Sequence, residues 1–140
     1  MSNAMEIDLP DVVAEVTAAF QRYEQALGDN DVAALNAMFH NDPRTIRYGG
    51  GENLYGHHEI AAFRGARSPV GLARTISRTV ITTYGRDFAV ASTLFHRAAN
   101  PGKIGRQMQT WVRFGDGWHV VAAHVSLIEE PKASISGTRS

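Results

Sequence analysis

Arg47 is the first residue whose type and surroundings could do binding chemistry. It lies in Arg44–Tyr48, where the residue types predict a short strand and alternation puts Thr45 and Arg47 on one face. A buried guanidinium is costly unless it is paired, and a carboxylate from solution matches its planar donors. An exposed arginine on an edge strand fits the same pattern, so the residues leave both interpretations open.

Tyr23 is the second candidate, because it lies on the apolar stripe of a predicted helix. Members of the stripe are three or four positions apart: Val12, Val16, Phe20, Tyr23 and Leu27. A ring on this stripe faces inward, and its hydroxyl must then find a partner. The partner could be a ligand or another core group, and the spacing does not decide between them.

A third candidate is the polar face of a predicted strand, on which Gln107, Gln109 and Trp111 alternate with Met108 and Thr110. Glutamines beside a tryptophan could line a polar pocket. They could equally form a solvated sheet face, because parity alone does not identify the buried side.

The remaining motifs predict neither a metal site nor a cofactor. Gly49–Gly51 lacks the Gly-Lys-Ser/Thr of a phosphate loop, and His57–Glu59 lacks the two-histidine spacing of a zinc protease. Alternation places His119 and His124 on opposite faces unless a bulge intervenes, whereas His96 and His124 could share a face. The absence of cysteine excludes disulfides, zinc–cysteine sites and thiol nucleophiles.

Charge and hydropathy exclude several broad classes of protein. The 140 residues carry 14 basic and 14 acidic side chains, so the formal charge of zero is unlike that of nucleic-acid or acidic-lipid binders. Twelve of the basic residues are arginine, which favours planar recognition of carboxylates. No apolar run approaches the ~20 residues of a membrane span, and we expect a cytoplasmic protein.

Three helices should position these residues. Apolar spacing predicts them over three ranges: 9–28, 31–39 and 57–67. Asp8 and Asp11 suit the start of the first helix, and Asn30 is the expected cap of the second. The third helix should direct Ile60 and Phe63 inward.

Four strands should follow the helices. Segments rich in Thr, Val, Ile and aromatic residues span 73–84, 87–98, 103–114 and 117–128, with turn residues between them. Short turns between long strands predict an antiparallel meander, and helices that precede all long strands predict an α+β fold. We expect a curved sheet around the first helix, with a small-molecule pocket between them.

One domain accounts for most of the chain. Residues 1–4 precede a second methionine and look like a cloning remnant, residues 5–130 form the predicted domain, and residues 131–140 have the composition of a flexible tail.

The predicted order of elements, closed by Gly117–Ser126, resembles the NTF2-like (SnoaL-like) superfamily. Three stretches within it resemble the AtzH/HpxZ-type family: Asp42–Gly49, Gly51–Gly56 and Gly105–Trp111. That family is associated with oxalurate catabolism and, in its AtzH branch, with the cyanuric acid pathway. The resemblance covers nearly all of residues 5–128 and implies a cone of helices on a curved sheet that forms a homodimer.

The AtzH branch is described as an enzyme that decarboxylates carboxylated ureas, and its functional tyrosine and arginine match Tyr23 and Arg47. The resemblance thus favours catalytic roles for both, with Arg47 anchoring a carboxylate and Tyr23 relaying a proton. Phe20, Gln109 and Trp111 would contact the substrate and exclude water. A non-catalytic carboxylate-binding or accessory protein is the alternative. A dehydratase or isomerase would need a base such as His124 in the pocket.

Overall fold

The computed structural model describes residues 4–131, which form three α-helices and six β-strands. The helices are α1 (Pro10–Gly28), α2 (Val32–Met38) and α3 (His57–Ala66). The strands are β1 (Ile46–Tyr48), β2 (Asn53–Tyr55), β3 (Thr75–Tyr84), β4 (Phe88–His96), β5 (Lys103–Phe114) and β6 (Gly117–Glu129). These bounds agree closely with the predicted ranges, and the architecture is the predicted α+β fold. No helix among residues 4–131 is both long and apolar enough to cross a membrane.

Helix α1 buries the predicted stripe from Val12 to Leu27. Its start differs from prediction: Leu9 is the N-cap residue without a side-chain cap, and Pro10 occupies the first turn. Asp8 instead accepts a hydrogen bond from the backbone N–H of Thr83 on β3 at 2.9 Å. The aspartate therefore joins the start of the helix to the sheet.

The six strands form one sheet in the order β2-β1-β6-β5-β4-β3. Strands β3 to β6 are the predicted antiparallel meander. Strand β1 lies parallel to β6, a pairing that the prediction lacked, and it sets Arg47 beside Ala123. The short strand that carries Arg47 is therefore internal to the sheet and not at its edge.

The exposures of the β5 side chains show which face of the sheet covers the helices. On β5, Gln107, Gln109 and Trp111 are all buried, at 2%, 1% and 0% exposure. Met108, between the two glutamines, is 56% exposed on the convex face. The polar face of β5 is therefore the concave one.

A β-bulge on β6 corrects the predicted arrangement of the histidines. Trp111 pairs with Val120 and Thr110 with Ala122, so Val121 is the additional residue. The bulge places His119 and His124 on the same convex face, not on opposite faces. His124 pairs with Met108 there, outside the concave pocket, which removes it as the base of a dehydratase or isomerase.

Two predicted segments lie at the ends of the chain. Of the suggested remnant over residues 1–4 only Ala4 is described, and of the suggested tail over residues 131–140 only Pro131. The other residues of both segments lie outside the described part of the chain.

Asp31, and not the predicted Asn30, caps helix α2: its carboxylate accepts from the backbone N–H of Ala34 at 3.1 Å. We expect Asp31→Ala to lower the free energy of unfolding by about 1 kcal/mol, because a helix N–H loses its acceptor. Urea denaturation measures this change. Asp29→Ala is the matched control, since the Asp29 carboxylate bonds only the exposed side chain of Gln25, and it should change stability less. Equal losses in the two variants would contradict the cap.

Candidate ligand-binding pocket

A cavity of about 250 Å³ lies between the β1–β2 hairpin, the end of α3 and the ends of β4 and β6. Its wall includes Arg47, Glu52, Phe63, Arg67, Leu72 and Arg97. Three guanidinium groups reach this wall, so the cavity is cationic, although most of its lining surface is apolar.

Arg47 reaches the cavity from β1, where it is 8% exposed. Its Nη1–H donates to Glu52 Oε2 at 2.8 Å, and its Cζ lies 5.5 Å from the centre of the Phe63 ring. A Cβ at Gly49 would come within 1.8 Å of the same Glu52 oxygen. The glycine turn is thus required to fold Glu52 back onto Arg47.

Tyr23 does not line this cavity and is more deeply buried than Arg47, at 3% exposure. Its ring contacts Phe39 with 6.3 Å between centroids, and the Arg64 guanidinium lies 4.1 Å from the same Phe39 ring. Arg64 also donates to the Leu35 carbonyl at 3.4 Å. The phenol and two buried arginines, Arg64 and Arg47, therefore form one cluster on the concave side.

Burial dominates the electrostatics of Arg64 and lowers its pKa to about 10. The Tyr23 phenol opposes this decrease by interacting with the guanidinium, whereas the charges of Arg47 and Arg67 lower the pKa further. Burial likewise lowers the pKa values of Arg67 and Arg97, and Tyr23 again opposes the change in both. The same phenol thus acts on three guanidinium groups.

A second ion pair borders the cluster. Arg74 donates to both carboxylate oxygens of Glu24, and its Nη2 also donates to Gln107 Oε1 at 3.0 Å. Its guanidinium lies 4.4 Å from the Phe95 ring, and that of Arg97 lies 4.8 Å from the same ring. Glu24 follows Tyr23 directly in α1, so the helix brings both residues to the sheet.

The cluster holds more donors than acceptors. Five arginines face two carboxylates, those of Glu24 and Glu52: Arg47, Arg64, Arg67, Arg74 and Arg97. Buried nitrogens on four side chains have no hydrogen-bond partner among the described residues: Nε and Nη2 of Arg64, Nε and Nη2 of Arg67, Nε of Arg97 and Nε2 of Gln107. Such groups are costly to bury unpaired, so the arrangement suits a ligand rich in oxygen acceptors.

The other residues predicted to contact substrate do not line this cavity. Gln109 accepts from the Trp111 indole N–H at 3.1 Å, and Trp111 belongs to the apolar core. Phe20 lines a different cavity, of about 360 Å³, beside Glu24 and Arg74. Of the predicted site residues, only Arg47 borders the 250 Å³ cavity.

The sequence analysis missed Arg64, Arg67 and Arg97. One signal was present: Arg64 follows Ile60 by four residues, which places it on the buried side of α3, where both are at most 1% exposed. Phe63, expected to face inward, is only half-buried. A charged residue on an apolar stripe was therefore the informative feature of this helix.

Solved structures similar to this chain include two with high sequence identity. A DUF3225-family protein of unknown function from Pectobacterium atrosepticum is 60% identical, with a TM-score of 0.85 over 88% of this chain and 95% of that one. A cystatin-like fold protein from Burkholderia xenovorans is 52% identical, with a TM-score of 0.88 over 91% and 100% of the two chains. No curated protein matches.

A more distant structure supports the fold alone. An NTF2-like protein with a cystatin-like fold from Novosphingobium aromaticivorans is 18% identical, with a TM-score of 0.69 over 94% of this chain and 92% of that one. The sequence model of the AtzH-like family matches residues 5–131. This match spans every helix and strand described above, and the chain belongs to the AtzH-like family.

Proposed function

We propose that this protein is a cofactor-free enzyme that decarboxylates or hydrolyses a carboxylated urea-like compound, as in ureide or oxalurate catabolism. The observation that carries the proposal is the combination of a buried cluster, in which Tyr23 and Arg64 both contact the Phe39 ring, with a cavity lined by Arg47 and two further arginines. A phenol held among cations beside a small cavity suits proton transfer to an anionic substrate.

In the proposed reaction, Arg47 anchors the substrate and Tyr23 supplies the proton. The carbamate nitrogen of an N–CO2⁻ group accepts the proton, the C–N bond breaks, and its electron pair stays on nitrogen as carbon dioxide leaves. Gripping the departing carboxylate would stabilise the ground state, so Arg47 should hold a second carboxylate or the urea carbonyl. Glu52 must then share or release the Arg47 guanidinium when the substrate enters.

We further propose that the protein is a cytoplasmic homodimer. The convex face exposes large apolar side chains, including Val80, Phe88 and Met108 at 56%, 51% and 56%. Apolar residues grouped on one sheet face are typical of a protein–protein contact. The lack of cysteine is compatible with a reducing compartment.

A crystal soaked with oxalurate, or with another carboxylated urea, tests the proposal directly. We expect ligand density in the 250 Å³ cavity, with an oxygen bonded to Arg47 and the cavity extended inward so that a nitrogen of the ligand reaches the buried Tyr23 hydroxyl. Density confined to another part of the molecule would contradict the assignment of this pocket.

A non-catalytic carboxylate-binding or accessory protein of the same pathway is the second candidate, and one observation favours it. Five arginines around one cluster stabilise a bound carboxylate strongly, and ground-state stabilisation opposes decarboxylation. Measuring both affinity and turnover for the same compound separates the candidates, because a binding module retains the ligand unchanged.

A further inference from the structure

Three arginines of the cluster form no ion pair within residues 4–131, although the other two are paired with glutamates. These three come from different elements: Arg64 and Arg67 from the end of α3, and Arg97 from the residue after β4. Arg67 and Arg97 line the 250 Å³ cavity, and Arg64 lies behind them at 1% exposure.

The unpaired donors of these side chains are difficult to explain as structural features. Arg64 bonds one backbone carbonyl through Nη1 and interacts with the Tyr23 hydroxyl, yet its Nε and Nη2 have no hydrogen-bond partner in good geometry among residues 4–131. Arg67, Arg97 and the Gln107 amide also bury nitrogens without acceptors. Apolar residues of similar volume would avoid both this desolvation and the repulsion among like charges. These three unpaired guanidinium groups are therefore best explained by a ligand that supplies the missing hydrogen-bond acceptors.

We propose that Arg67 and Arg97, which line the cavity, form with the buried Arg64 an anion-binding subsite that receives a carboxylate group. This subsite is distinct from the contact at Arg47, whose Nη1 is already bonded to Glu52. The inference rests on the proposed function for the carboxylate class of the ligand. Its own evidence is the set of unpaired donors.

The dimensions of the cavity restrict the ligand further. A volume of about 250 Å³ corresponds to about eight water molecules in the liquid, at roughly 30 Å³ each. Phe63, Leu72, Val125 and Leu127 supply the apolar part of the wall. This volume suits a compact carboxylate.

Thermal denaturation with potassium oxalate as the probe tests the subsite. A ligand that binds only the folded protein raises Tm, and at 100 times Kd we expect an increase of about 5–10 °C for a domain of this size. Potassium chloride at the same ionic strength should not reproduce the increase. Absence of an oxalate-specific increase in the unmodified protein overturns the proposal.

Two variants test whether Arg67 and Arg97 bind the oxalate. Arg67→Met and Arg97→Met should each reduce the oxalate-dependent increase in Tm to less than half. Without oxalate their Tm should stay equal or rise, because an unpaired, partly buried charge is removed. Arg22→Met, which removes an exposed arginine of α1, is the control and should retain the full increase. Retention of the full increase in both pocket variants overturns the proposal.

A conservative variant tests the subsite even if the methionine variants fail to fold. Arg97→Lys keeps the charge without the planar donor set, and we expect an intermediate increase with oxalate. Tyr23→Phe would disturb all three guanidinium groups, so Tyr84→Phe, at an exposed tyrosine of β3, is the control that should retain the oxalate effect. If the unmodified protein binds oxalate but does not turn over a carboxylated substrate, only the proposed reaction is contradicted. If it turns over the substrate but does not bind oxalate, only the subsite is contradicted.

Discussion

Replacing Tyr23 with phenylalanine should lower kcat for the carboxylated substrate by about 10²-fold or more and leave KM within about twofold. The substitution removes one oxygen and its proton from a side chain that is 3% exposed, so the ring still packs against Phe39. The proposed reaction needs that proton at the substrate nitrogen, whereas binding depends on the arginines. Steady-state release of carbon dioxide measures both parameters.

Tyr84→Phe is the matched control for this substitution, because Tyr84 lies on β3 and is 38% exposed. It should leave kcat and KM unchanged. Unaltered kcat in Tyr23→Phe would show that the phenol does not transfer the proton. Unaltered affinity with no turnover in either protein would instead support a carboxylate-binding module.

Local patterns were sufficient to predict most of the fold. The spacing of the α1 stripe gave the helix and the inward direction of Tyr23 within it. Turn residues marked the ends of the four long strands, and the observed strands begin and end within two residues of the predicted bounds. Both signals arise within about twenty residues of sequence, where periodicity reflects which side is buried.

Non-local pairing could not be predicted in the same way. The parallel contact of Arg47 with Ala123 joins residues that are far apart in the chain, and it decides whether Arg47 is buried. The bulge at Val121 depends on how β5 and β6 meet, and it reverses the expected facing of His119. Alternation gives two faces of a strand, but only the packed sheet identifies the concave one.

The pocket arginines illustrate the same limit. Arg64 could have been recognised because it lies four residues after Ile60 on α3. Arg97 carries no such signal, since it follows the end of β4 at the start of a turn and joins the cluster through the Phe95 ring, which Arg74 also contacts. A charge cluster assembled from separate elements is visible only when those elements are packed together.

Replacing Arg47 with alanine should have the largest effect, lowering kcat/KM by about 10²- to 10³-fold. The substitution removes the guanidinium that is proposed to hold the substrate and leaves the Glu52 carboxylate without its 2.8 Å partner. Glu52 already acts on Arg67, so the freed carboxylate would occupy cationic groups that the substrate needs. Steady-state kinetics should therefore show a rise in KM as well as a fall in kcat.

Arg47→Lys and Arg44→Ala determine what Arg47 contributes. Lysine keeps the charge but not the planar fork, so it should restore only a small part of the activity. Arg44, three residues away, is exposed and paired with Asp42, and its replacement should leave kcat/KM unchanged. Full activity in Arg47→Lys would mean that charge alone matters, and full activity in Arg47→Ala would place the substrate anchor on the unpaired arginines of the cluster. The Arg47 series and the oxalate measurements therefore assign the anchor independently, one from turnover and one from binding.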